Sequence, residues 1–222
     1  MKEKEIWERT WKKVGYDELN PDENVVSLVP FLKKNKVKKI LDLGCGVGRH
    51  MIYLGKQGFF MVGSDISPTA LKLTKEWLER EKLKNYFLVE NDVTKLPFPK
   101  ECFDTVLSIN VIHHNPLNKI EKTTSEIERI LKKGGIAVIT VNSINDRKFG
   151  TGRKIEHNTY ATLGSEHIPI IEGRVVHHFF DGKDVKKLFS KFKIIKIKEE
   201  IKDLGVKGKI KKSAHWLILC QK

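Results

Sequence analysis

No uncharged apolar run in this sequence approaches the ~18 residues that a membrane-spanning helix needs. The first residues, MKEKEIWERTWKK, are charged from the second position and hold no apolar stretch of the signal-peptide kind. Neither a membrane partner nor export is therefore expected. Cysteine is scarce: Cys45, Cys102 and Cys220 lie far apart with no CxxC pair. An odd, sparse set fits a reducing cytoplasm and argues against a disulfide framework or a structural zinc site. Arginine is scarce as well, seven against 35 lysines. Nucleic-acid sites usually draw on arginine too, so the net charge of +14 reads first as a lysine-rich composition. The excess is uneven, however. Residues 183–222 hold 13 lysines and four acidic residues, a basic C-terminal stretch that could meet RNA or another polyanion. Nothing repeats and no compositional break marks a boundary, so 1–222 reads as a single domain.

What is present is an alternation of apolar strands and amphipathic helices. Residues 38–43, 59–64, 86–90, 103–109 and 136–141 read as buried strands, with helices over 50–57, 69–82 and 119–132 between them. Ser67 is placed to cap the second of these helices, and Pro68 takes its first position. Such alternation predicts a parallel sheet with helices on both faces. Runs such as IAVITV fit burial on both sides. Residues 1–35 read as an N-terminal helical cap, with Ile6, Trp7 and Trp11 on one face of a first helix. The alternation breaks over 142–182, 41 residues rich in Gly, Asn and His. A stretch that long is usually functional or disordered, and it reads as an inserted loop region on the substrate side. A helix over 183–190 and strands over 192–201 and 215–220 follow. No helix joins those two strands, so they should form an antiparallel pair at the sheet edge.

The strongest motif is KILDLGCGVGR over 39–49: a strand runs into a glycine turn that opens a helix. Glycines let the backbone approach a ligand, and the helix N-terminus offers unpaired N–H groups. Asp65 ends the next strand, 21 residues after Gly44, where a carboxylate can accept both ribose hydroxyls. Two ligands compete for such a site, a nicotinamide or flavin dinucleotide and S-adenosylmethionine. The dinucleotide fingerprint wants a small third residue, and here that position is Arg49. Asp42, inside the first strand, adds a carboxylate able to order the loop around an ammonium group.

Together, ILDLGCGVGRH, VGSDIS, ENDVTKLPF, FDTVLSINVIHH and LKKGGIAVITV resemble the class I S-adenosylmethionine-dependent methyltransferases, in particular the group called methyltransferase type 11. The likeness covers residues 36–141 closely and 183–222 loosely. It implies a Rossmann-like seven-stranded sheet of order 3-2-1-4-5-7-6, strand seven antiparallel, with S-adenosylhomocysteine as product. It also implies that Gly44, Cys45 and Gly46 face the methionine part of the cofactor and that Asp65 holds the ribose. Ile66 would pack on the adenine, Asp92 would accept from its exocyclic amine beside the Val93 N–H, and Asn110 would offer its backbone carbonyl to the ammonium.

Absences sort the acceptor. Asn110 is followed by Val-Ile-His, unlike the [DNS]-P-P-[YFW] tetrad that the methylation of base amines resembles. No cysteine is poised for attack on a pyrimidine. His113 and His114, just beyond the fourth strand, are the candidates for a general base, with an ordinary pKa of about 6.5. His177 and His178 close the insert. Plainer roles are loop bonding for His114 and lid anchoring for the later pair. Adjacent histidines in a strand point to opposite sides, so no metal site is expected. Trp11 and Tyr16 are candidates for a cap over the cofactor. Arg153 and Tyr160, with Arg147, His167 and Arg174, are candidates for the acceptor pocket, where arginine suits a carboxylate or phosphate. The expectation is a cytoplasmic methyltransferase with a small-molecule acceptor. The V-I-H-H run also resembles the tRNA wobble-uridine methyltransferases, which makes tRNA, met through the basic C-terminal stretch, the second candidate. A non-catalytic cofactor-binding subunit is the third.

Overall fold

The computed structural model describes residues 3–15, 20–162, 175–206 and 209–222. The first apolar run becomes β1 (Lys39–Leu43), paired in parallel with β2 (Phe60–Asp65) on one side and β4 (Phe103–Ser108) on the other. β3 (Tyr86–Glu90) continues beyond β2, and β5 (Leu131–Asn142) beyond β4. β10 (Lys209–Gln221) then runs antiparallel to β5, and β9 (Lys193–Val206) antiparallel to β10. The resulting order, β3-β2-β1-β4-β5-β10-β9, is the expected one, with the last strand in sequence reversed.

Strand alternation divides the core in two. Leu41, Leu43 and Val106 face α5 (Leu117–Ile130) and α6 (Gly182–Leu188), meeting Ile120, Ile127 and Val185. Ile40, Leu107 and Val138 face the opposite layer, meeting Val25, Met51 and Leu78 from α2 (Glu23–Lys34), α3 (Arg49–Lys56) and α4 (Pro68–Arg80). Each such side chain, fully buried, contributes roughly 1.5–3 kcal/mol. The helices begin where polar caps allow. Ser67 accepts from the Ala70 N–H at α4, and Asp181 from Lys183 and Asp184 at α6.

Two regions depart from the expectation. The final hairpin is much longer than the two short strands expected. Pairing of β10 with β5 ends at His215–Asn142, whereas the β9–β10 ladder continues to Lys209–Val206. Those residues show no apolar alternation in the sequence that would extend the strands. The insert is not loop throughout. β6 (Arg153–Glu156), β7 (Thr159–Thr162) and β8 (Val175–His178) form a small antiparallel sheet. Its strands of four residues are too short to show a period.

α1 (Glu3–Val14) lies against α4 and the open end of the sheet. Glu3 pairs with Lys119 at 2.8 Å, and Lys4 pairs with Glu90. Among the described residues no helix is long and apolar enough to cross a membrane.

Candidate active site

A single cavity opens at the carboxyl ends of β1, β2 and β4, where the strand order reverses direction. Ligands bind at that switch point in sheets of this kind. Its floor is the glycine turn. Gly44 and Gly46 have φ of 74° and 54°, a region that side chains avoid. A methyl group on Gly44 would lie 2.5 Å from Val111, and one on Gly46 would lie 2.8 Å from the Trp11 ring. The turn is therefore backbone in close contact with its cover. The N–H groups of Gly44 and Cys45 donate to the Ser64 carbonyl at 2.7 and 2.9 Å, and the Thr74 hydroxyl donates to the Gly46 carbonyl at 2.7 Å.

Asp65, at the end of β2, accepts from the Gly46 N–H at 3.0 Å and from the Ser67 N–H at 2.9 Å. Burial pushes its pKa up to about 6, against the pull of those N–H groups and with a smaller push from Asp42. Asp42 itself does not reach the cavity surface. Its Oδ1 lies 3.8 Å from His50 Nδ1, and its buried Oδ2 has no hydrogen-bond partner among the described residues. The Asp22 N–H donates to His50 Nε2 at 3.2 Å, so the imidazole proton sits on Nδ1 and faces Asp42. Asp92 turns the chain after β3, its Oδ1 accepting from the Thr94 N–H and hydroxyl, each at 2.8 Å. Asn110 has a φ of 60°, and its N–H and side chain are both tied to the Thr140 hydroxyl. Its backbone carbonyl, expected to meet the cofactor's ammonium, is also a hydrogen-bond partner of the His114 ring.

Past β4 a short 3-10 turn, Ile112–His114, brings two imidazoles to the other end of the cavity. His177 arrives from β8 and meets them: its ring centroid is 4.7 Å from His114 and 6.1 Å from His113. Trp7 from α1 lies edge-on to His114 at 4.9 Å. Burial holds His113 and His114 well below the usual imidazole range, and neighbouring histidines and Lys148 depress both further. His177 is held down to about 4 by burial and then by Lys148. All three are neutral at physiological pH.

The cavity thus gathers Gly44, Cys45, Gly46, Asp65, Ile66, Asp92, Val93 and Asn110 with Trp11, His113, His114 and His177. Other expected residues lie elsewhere. Tyr16, His167 and Arg174 fall outside the described residues. Arg153 is exposed on β6 and does not line the cavity. Tyr160 shares the face of His177 through their cross-strand pairing, but it packs on Phe149 and Phe179 instead. His178, one residue on, faces the other way and bonds to the Thr159 hydroxyl at 2.6 Å. The structure also adds residues that the motifs did not single out for the site: Glu3, Asn142, Asp146, Lys148, Ser213 and His215. His215 reaches the rim because it is the last rung of β10 on β5, a register the sequence does not display.

Residues 41–139 match the methyltransferase domain family. Over 104 residues the chain is 36% identical to an Arabidopsis thaliana tRNA (carboxymethyluridine(34)-5-O)-methyltransferase, covering 46% of this chain and 23% of that protein. Over 100 residues it is 37% identical to a Gibberella zeae sterol 24-C-methyltransferase, covering 44% and 26%. The chain therefore spans about a quarter of the length of these relatives. A SAM-dependent methyltransferase from Methanosarcina mazei superposes with a TM-score of 0.71 over 92% of this chain and 99% of that one. At 19% identity that likeness concerns the fold alone. Over the glycine turn and its flanking strands, residues 41–139 thus match the methyltransferase domain, on a sheet that has the fold of known S-adenosylmethionine-dependent methyltransferases.

Proposed function

We propose that the chain transfers a methyl group from S-adenosylmethionine to a small-molecule acceptor. The observation that carries this reading is the continuity of one cavity. It runs from the glycine turn and Asp65 at one end to the imidazoles of His113, His114 and His177 at the other. The residues present suit the cofactor. Backbone alone fits at Gly44 and Gly46, and Asp65 is aimed at the cavity for a pair of hydroxyls. The orphaned Asp42 oxygen lies under the turn, where a carboxylate can steady an ammonium group through ordered water. Asp92 and the Val93 N–H stand ready for a base edge. When bound, the cofactor supplies an electrophilic methyl on a sulfonium.

The chain's own residues then position and deprotonate. His114 is the base we favour. Its ring bonds to the backbone at Val176 and Asn110, and carbonyls there take the imidazole proton. The proton therefore sits on Nε2, while Nδ1, buried with no hydrogen-bond partner among the described residues, keeps its lone pair. With the cofactor bound, Nδ1 would be the atom that takes the acceptor's proton. Trp7 and Trp11, carried by α1, exclude water from above. Such enclosure favours a small acceptor over an open platform, in a cytoplasm that keeps the three thiols reduced.

The second reading is tRNA. It is supported by the lysine-rich ribbon beyond the sheet edge and by the substrate named for the Arabidopsis relative. Isothermal titration with S-adenosylmethionine and S-adenosylhomocysteine, with Asp65→Ala alongside, tests the cofactor. Micromolar binding lost on substitution is expected. Transfer of labelled methyl to metabolite fractions or to tRNA then separates the acceptors. Binding without transfer to either would leave a non-catalytic subunit.

A further inference from the structure

The two ends of the cavity differ in charge. Asp65 and Asp92 lie at the glycine-turn end, with Arg49 at the start of α3 beside them. Arg147 and Lys148, on the turn that leaves β5, lie at the imidazole end. That turn is held firmly. Asp146 accepts from the Lys148 N–H and from the Ala214 N–H, each at 2.9 Å. The Arg147 N–H donates to the Lys212 carbonyl at 3.0 Å, and the Ser143 N–H to the Ala214 carbonyl at 2.9 Å. The Asp146 carboxylate is thereby committed to backbone N–H groups, and it pins the two cationic residues against β10.

Around these cations stand rings that offer lone pairs rather than charge. His113 is 2% exposed, and its Nδ1 has no hydrogen-bond partner among the described residues; the same holds for Nδ1 of His114. His177 Nδ1 lies 2.8 Å from the Thr162 hydroxyl and 3.1 Å from the Val175 carbonyl, so its proton is placed there and Nε2 keeps the lone pair. Lys148 is the shared charged neighbour of His113, His114, His177 and His215. A cationic acceptor would enter against Lys148 and Arg147, with neutral imidazoles and one carboxylate, Asp146, already committed to backbone N–H groups, to receive it. An anion would meet two donors of opposite charge, one of them a planar fork suited to carboxylate or phosphate.

Resting on the methyltransferase reading, we propose that the acceptor is a small anion. Its carboxylate or phosphate is held by Arg147 and Lys148, and it presents a protonated heteroatom to Nδ1 of His114. Asp146 is a positioning residue, acting through the turn.

The test is calorimetry on the full chain saturated with S-adenosylhomocysteine. The probes are matched ring compounds: 4-hydroxybenzoate, 4-hydroxyphenyl phosphate, 4-hydroxybenzamide and 4-hydroxybenzylamine. Total tRNA is titrated separately. One of the two anions is expected to bind at least tenfold more tightly than the amide and the amine. Arg147→Gln and Lys148→Gln should each weaken it about tenfold while leaving affinity for S-adenosylhomocysteine intact, which also shows that the variants are folded. Arg147→Lys should restore part of the loss. Equal binding of all four probes, preference for the amine, or anion binding indifferent to both variants would overturn the proposal. So would salt-sensitive tRNA binding that these variants abolish. Failure of the cofactor reading looks different: the wild-type chain would not bind S-adenosylhomocysteine at all.

Discussion

Glu8 on α1 takes both polar groups of Thr69 on α4, the backbone N–H at 3.1 Å and the hydroxyl. The Ser67 hydroxyl joins them. Ser67 is the cap of α4, so the carboxylate of one helix sits at the positive end of another. This contact sets α1, with Trp7 and Trp11, over the cavity. Burial raises the Glu8 pKa, but the bonds from Ser67 and Thr69 outweigh it and bring it to about 2. A carboxyl held below its ordinary 4.5 adds stability above that pH, and the gain is lost as pH falls from 4.5 toward 2. Glu8→Gln should undock α1 at neutral pH, at a cost of about 1–2 kcal/mol. A red shift of tryptophan emission and a lower unfolding midpoint would show it; unchanged emission would refute the clamp.

The histidines act over a different window. His177 and His178 are both held at about 4, and His113 and His114 lower than usual, by burial above all. The unfolded chain takes up protons from about pH 6.5 downward, whereas the folded chain refuses them until near pH 4. Stability should fall steeply across that interval, by more than one proton's worth of slope. Urea midpoints at pH 7.5, 6.5 and 5.5 would measure it. His178→Asn, outside the cavity, should reduce the slope while sparing cofactor binding.

Asp65 runs the opposite way. Its pKa of about 6 lies above the ordinary 3.8, so the carboxylate gains its proton as pH falls through 6. Affinity for S-adenosylmethionine should drop through the same range, by up to about tenfold per pH unit. Asp65→Ala should weaken binding about a hundredfold or more, given roughly 1.5–3 kcal/mol for each charge-assisted bond. A pH-independent affinity would remove Asp65 from the ribose contact.

Gly48 and Gly58 separate strain from packing. Both have a left-handed φ, 87° and 91°. A methyl on Gly48 would meet Thr74 at 2.6 Å, whereas one on Gly58 meets nothing within 4 Å. Gly58→Ala should cost about 1 kcal/mol of backbone strain alone. Gly48→Ala should cost visibly more, by roughly 1–3 kcal/mol of overpacking, and should displace the α3 end of the glycine turn. Denaturant midpoints for the pair would decide it.

Much of the site is legible in the sequence. The glycine turn, Asp65 and the apolar strands are written in local chemistry: positive φ needs glycine, a buried strand needs an apolar run, and a helix start needs its cap. Five parallel strands separated by helices leave few ways to order a sheet, and the switch point follows from that order. The identity of the His177 neighbourhood was not legible. Whether His177 or His178 faces the cavity depends on which residue of β7 each one opposes. A shift of one residue would exchange them. Trp7 reaches His114 because Glu8 fixes how α1 lies across α4, more than fifty residues away in sequence. Arg147, Lys148 and His215 meet because a turn after β5 is pinned to the last strand of the chain. Local periodicity thus marks the strands and helices by itself, while the order of the sheet and the role of the glycine turn were implied by the likeness to known methyltransferases. The acceptor end was decided only by pairing register and long-range hydrogen bonds, which leave no periodic trace in the sequence.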